Sequence, residues 1–100
     1  MTLRVDLTPE AKADVEEVHA WYAERDMALA EDFRRSLDQC MANIARYPES
    51  YSLVHRSLRR ALLGRFPYCI FYVVEVERAV VHGCFHARRD PRAWQLRGAG

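Results

Sequence analysis

Three side chains are of the types that phosphodiester chemistry uses. Cleavage of RNA by attack of the 2′-hydroxyl needs a base, an acid and cations that stabilise the crowded phosphate. His86, Arg88 and Arg65 supply an imidazole and two guanidinium groups. His86 lies just past a run of strand-forming residues, where a side chain can project. A second set is His82, Cys84 and His86, which alternate along that run. On a regular strand they would share one face, and thiolate and imidazole are zinc ligands. Same-face neighbours on a strand lie roughly 7 Å apart, however, so three of them diverge from any single ion. No metal and no cofactor is expected.

Arginine dominates the remaining polar chemistry. Of the fifteen basic residues only Lys12 is a lysine. Arg56, Arg59, Arg60 and Arg65 precede an aromatic and β-branched run, and Arg88, Arg89 and Arg92 follow the next one, with Trp94 beyond. Guanidinium forks match carboxylate and phosphate bidentately. These arginines and Trp94 are therefore the candidate residues for binding an anionic target or partner. The net charge of +1 hides a segregation: residues 1–50 carry six basic and eleven acidic groups, residues 51–100 nine basic and three acidic. A basic C-terminal half predicts an anionic partner, either nucleic acid or an acidic polypeptide.

The elements that must position these residues are legible in the periodicity. Leu3 to Leu7 alternates as a half-buried strand does. Thr8-Pro9-Glu10 is a helix start, with Thr8 as cap and Pro9 in the first turn. Ala11, Val15, Val18 and Tyr22 recur at helical spacing, leaving Glu10, Asp14, Glu17 and Glu24 off the stripe; that helix should end near Arg25. Asp26 can cap a second helix, with Leu29, Phe33, Leu37, Met41 and Ile44 as its stripe, which Pro48 stops. A weak strand over Leu53 to His55 and a stretch from Leu58 to Leu63 lead to a turn at Gly64. Tyr68 to Val74 is the central strand, and Ala79 to Phe85 the last strong one, paired antiparallel with it. Pro91 opens a helical turn through Trp94. The aromatic set Trp21, Tyr22, Phe33, Phe71 and Tyr72 is read as core.

The fold class that follows is α+β: an N-terminal strand, then an antiparallel helical hairpin packed on a mostly antiparallel sheet of about four strands. One hundred residues suffice for a single domain, over residues 1–97, with residues 98–100 as a frayed tail. Cys40, Cys69 and Cys84 are odd in number and widely spaced, so they read as small buried hydrophobes rather than a disulfide framework. No apolar run approaches the roughly 20 residues of a membrane span. With no apolar signal segment after Met1-Thr2-Leu3-Arg4, the chain is expected to be cytoplasmic.

Taken in order, several segments resemble the RelE/ParE toxin superfamily, and its ParE branch more closely. They are the opening strand with Thr8-Pro9-Glu10-Ala11 and Trp21-Tyr22, then Ala30-x-x-Phe33 with Tyr47-Pro48. Arg65-Phe66-Pro67-Tyr68 runs into Ile70-Phe71-Tyr72, and His86-Ala87-Arg88-Arg89-Asp90-Pro91 is followed by Trp94. The resemblance implies the toxin of a type II toxin–antitoxin system. It would be neutralised by a small cognate antitoxin with a DNA-binding N-terminal half, whose C-terminal segment folds over the toxin. For the ParE branch the resemblance implies binding and inhibition of DNA gyrase without catalysis. For the RelE branch it implies ribosome-dependent cleavage of messenger RNA, with His86, Arg88 and Arg65 as the catalytic candidates. The ribonuclease branch has an arginine where this chain has Cys69, and a tyrosine near the place of Trp94; neither replacement donates a charged fork or a phenolic proton. A module that only binds its partner is the third alternative.

Overall fold

A computed structural model describes residues 2–97. The expected tail, residues 98–100, lies outside the described residues. The order of elements is β1 (Arg4–Leu7), α1 (Pro9–Arg25), α2 (Met27–Arg46), β2 (Leu53–His55), β3 (Leu58–Leu62), β4 (Tyr68–Val74), β5 (Arg78–His86) and α3 (Pro91–Gln95). The expected architecture is present, with the weak strand β2 bringing the sheet to five.

Both long helices start where the capping chemistry puts them. The Thr8 hydroxyl accepts the Ala11 N–H at 3.1 Å, and an Asp26 carboxylate oxygen accepts the Ala28 N–H at 2.9 Å. Each satisfies an N–H that a helix terminus otherwise leaves without a partner. Asp26 also closes α1, its own N–H donating to the Tyr22 carbonyl at 2.8 Å. One residue thus ends one helix and begins the next, which forces the tight antiparallel hairpin.

The sheet runs β1-β5-β4-β3-β2. The pairings among β2, β3, β4 and β5 are antiparallel. β1 lies parallel to β5, Arg4 opposite Arg78 and Leu7 opposite Val81, so the sheet is mixed. A hairpin of helices between β1 and the rest provides the crossover that a parallel pair needs. Between β4 and β5 the register slips: Phe71 faces Gly83 while Tyr72 faces Val81. This bulge leaves His82 without an opposite residue.

The hairpin covers one face of the sheet. Val15, Val18, Phe33, Leu37 and Ile44 of the helices meet Ala61, Ile70, Tyr72, Ala79, Val81 and Cys84. Tyr72 is fully buried, and its hydroxyl donates to the Pro48 carbonyl at 2.6 Å. The opposite face carries a smaller cluster of Leu58, Cys69, Phe71, Phe85 and Trp94. There α3 lays Trp94 flat on Phe71, ring centroids 4.5 Å apart. None of the described helices is long and apolar enough to cross a membrane.

Candidate functional site

The antiparallel register decides which basic residues meet. Tyr68 at the start of β4 pairs with His86 at the end of β5, and the Ala87 N–H donates to the Pro67 carbonyl at 2.8 Å. The loop carrying Arg65 and the segment carrying Arg88 and Arg89 therefore leave the sheet at the same end. Arg56 belongs to the β2–β3 turn at the other end, with a positive φ of 53°. The candidate binding arginines are thus divided between the two ends of the sheet.

Folding also neutralises much of the segregated charge. Arg59, Arg65, Arg78 and Arg97 of the basic half pair with Glu49, Asp32, Asp6 and Asp14 of the acidic half, and Arg92 pairs with Asp90. Asp6 is held below the usual carboxylate range by its hydrogen bond from Arg78, and Asp90 by that from Arg92. Arg59 is turned inward, donating to the carbonyls of Glu49 at 3.1 Å and Tyr51 at 2.6 Å. These bonds pin the loop after α2. Arg56, Arg60, Arg88 and Arg89 are exposed. Among the described residues these four make no ion pair, and of the candidate binding arginines they are the ones left to meet an anion. Arg60 alternates along β3 with Leu58 and Leu62, so it stands on the face closed by α3, opposite Phe71. Arg89 lies over the ring of Phe85 at 5.4 Å.

Trp94, expected to be available for binding, is mostly buried. It is 7% exposed and stacked on Phe71, closing the second core. The converse correction falls on Trp21, read as core but 48% exposed, with the Arg25 guanidinium 3.5 Å above its ring. Tyr22, Phe33, Phe71 and Tyr72 are core or packed against it.

His86 does face a cleft of about 410 Å³, between α1 and the outer edge of β5. Glu17 and Trp21 of α1, Tyr68 of β4, and Arg89 and Arg97 share its walls with His86. Sequence reasoning did not single out Glu17, Trp21 or Arg97. The signal was available in part: Asp14, Glu17 and Trp21 follow each other at spacings of three and four, which puts them on one side of α1. The cleft does not assemble the catalytic trio. Arg65 points to the other side of the molecule, toward Asp32 on α2 at 3.4 Å. The Nδ1 of His86 accepts the N–H of Arg88 at 3.0 Å. That bond occupies Nδ1 and leaves Nε2 as the other ring nitrogen for any partner.

Cys69 and the His82, Cys84 and His86 set have their own settings in the sheet. Cys69, at the place of the ribonuclease arginine, is buried between Leu58, Phe71, Phe85 and Trp94. Burial pushes its thiol up, opposed by Arg60 nearby, so the group is neutral and poorly reactive. The bulge in β5 breaks the alternation that would align His82, Cys84 and His86. Cys84 joins the core under the helices, its thiol pushed up to about 12 by burial.

A family model described as the ParE toxin of the type II toxin–antitoxin system parDE matches residues 5–91. The chain belongs to the ParE toxin family. The match runs from β1 to the first residue of α3, taking in both helices and every strand. Among solved structures, a chain of the chromosomal ParDE TA system from P. aeruginosa superposes with a TM-score of 0.73. It is 14% identical, over 85% of this chain and 96% of that one. At that identity the likeness is one of fold. A comparison with the curated proteins returned no match. As a ParE-family toxin the chain is one component of a type II toxin–antitoxin system.

Proposed function

We propose that this ParE-family toxin acts by binding, with DNA gyrase as its target and a cognate ParD-type antitoxin as the partner that neutralises it. The observation that supports binding without catalysis is the dispersal of the candidate residues. His86 and Arg88 adjoin at the end of β5, but Arg65 is engaged with Asp32 on α2, and a buried thiol, Cys69, stands where the ribonuclease branch has an arginine. General acid–base chemistry needs its groups within hydrogen-bond reach of one reacting centre, and Arg65 is turned to Asp32 instead. Family membership supports the choice of gyrase. Four exposed arginines of the basic half without an ion pair, Arg56, Arg60, Arg88 and Arg89, support a partner with acidic side chains, met by bidentate pairs. Apolar anchors beside them, such as Leu62, at 59% exposure, would supply most of the affinity.

The rival reading, ribosome-dependent RNA cleavage, draws on the cleft, where an imidazole, a phenol, two carboxylates and two guanidinium groups share one wall system. Induced expression of the chain in bacteria separates the two. Gyrase inhibition predicts DNA breaks and growth arrest with intact messenger RNA, reversed by co-expression of the adjacent antitoxin reading frame. Messenger RNA cut within minutes of induction, with unbroken DNA, would replace it with the ribonuclease reading. Unaffected growth would leave a partner-binding module.

A further inference from the structure

β5 is longer than the strand beside it. It spans nine residues, whereas β1 pairs only with Arg78 to Val81. From His82 to His86 its outer edge has no strand partner among the described residues. This is a hazardous stretch to leave open: Ala79 to Ala87 contains no Asp, Glu, Lys or Arg, and includes Val80, Val81, Cys84 and Phe85. Uncharged, β-prone edges pair with other chains unless something blocks them.

Two side chains far apart in sequence occupy this edge. Asp14 of α1 accepts the Cys84 N–H at 3.0 Å. Arg97, beyond α3, donates to the His82 carbonyl at 3.0 Å. The two are joined, Arg97 Nη1 to Asp14 Oδ2 at 2.8 Å and Nη2 to Oδ1 at 3.3 Å. A carboxylate thus takes the donor, and a guanidinium the acceptor, that a neighbouring strand would use. Arg97 also lies 4.9 Å above the ring of Phe85. Space for the pair depends on Gly83. A Cβ there would come within 2.5 Å of the Phe85 ring, 3.1 Å of Arg97 Nη1 and 3.2 Å of Asp14 Oδ2.

We propose that the Asp14–Arg97 pair is a plug on a latent dimerisation edge, and that the occupant it excludes is β5 of a second copy of this chain. The edge is self-complementary. Two β5 strands laid antiparallel about Cys84 place Cys84 against its own copy and His82 against His86, a closed two-fold arrangement with no like charges opposed. The plug keeps the toxin monomeric until the C-terminal segment is drawn away from α1.

Sedimentation velocity and amide exchange on purified Arg97→Ala and Asp14→Asn proteins test this. Either variant, if folded, should dimerise at least tenfold more tightly than the parent. At dilutions where it is monomeric, its Cys84 amide should exchange at least tenfold faster. Adding His86→Lys, a charge on the edge, should return the variant to monomer. A variant that stays monomeric with Cys84 protected as in the parent overturns the proposal. So does association that His86→Lys leaves intact, because another surface is then responsible. If neither variant folds, the pair is a folding determinant and not a plug, and the proposal fails equally.

Discussion

Phe33→Ala probes the joint on which the whole architecture depends. Phe33 is fully buried where α2 meets the sheet. Its ring lies 5.8 Å from that of Tyr22, 5.7 Å from Phe66 and 6.1 Å from Tyr68, the latter two edge-on. It therefore ties both helices to the loop before β4 and to β4 itself. Truncating a core phenylalanine to alanine costs about 3–5 kcal/mol through lost transfer energy and an unfilled cavity. Three aromatic neighbours lost together place this site toward the upper end, since such pairs contribute about 0.5–1.5 kcal/mol beyond burial. A domain of this size has roughly 5–15 kcal/mol in all, so the variant should be marginal. In urea, where the slope is about 1–3 kcal/mol per molar, the midpoint should fall by roughly 2 M with the slope unchanged. The thermal midpoint should drop by about 15–30 °C. A loss below about 1 kcal/mol would refute the packing described here, because no cavity could then have opened between hairpin and sheet.

Other expectations address the second face, the charges and the half-buried imidazole of His82. Trp94→Ala should destabilise by about 3–5 kcal/mol, measured by the same urea titration, whereas a wholly binding tryptophan would leave the midpoint unmoved. Arg60→Ala should slow association with the antitoxin, most at low salt, and Arg65→Ala less, since Arg65 is already engaged by Asp32; stopped-flow rates unchanged for Arg60→Ala at low salt would dismiss its role. His82 has its pKa lowered below 6.5, chiefly by burial, so the unfolded chain binds the proton more readily. Its contribution to stability is complete above about pH 6.5 and declines as the pH falls through that value toward the lower folded pKa. Urea midpoints for the parent and His82→Gln between pH 7.5 and 5 should therefore diverge in slope, the variant falling less; parallel curves would contradict the assignment.

Local chemistry made most of the elements legible. Thr8 and Asp26 announce their helices because a cap is a contact between residues two or three apart, and the stripes of α1 and α2 repeat within one turn. The partner of β1 was not legible, since a four-residue strand says nothing about which edge it joins across more than 70 residues. The burial of Trp94 depends on α3 folding onto Phe71, and the exposure of Trp21 on where α1 ends relative to the sheet. Neither follows from the residue types. The division of the arginines has the same origin. Charge along a sequence is visible, but the pairings of Arg97 with Asp14 and Arg65 with Asp32 exist only once the chain has closed. Gly83 was the one local hint of irregularity in β5, as a glycine inside a strand often marks a bulge.

The central claim, that this toxin works by binding gyrase rather than by cutting RNA, is met most directly in vitro. Purified chain is added to purified DNA gyrase with supercoiled plasmid, and in parallel to ribosomes carrying a labelled messenger RNA. The account predicts loss of supercoiling or accumulation of gyrase-linked DNA breaks, abolished by prior mixing with the antitoxin, and an uncut message. Full gyrase activity beside a message cleaved on the ribosome, with cleavage lost in His86→Ala, would contradict it.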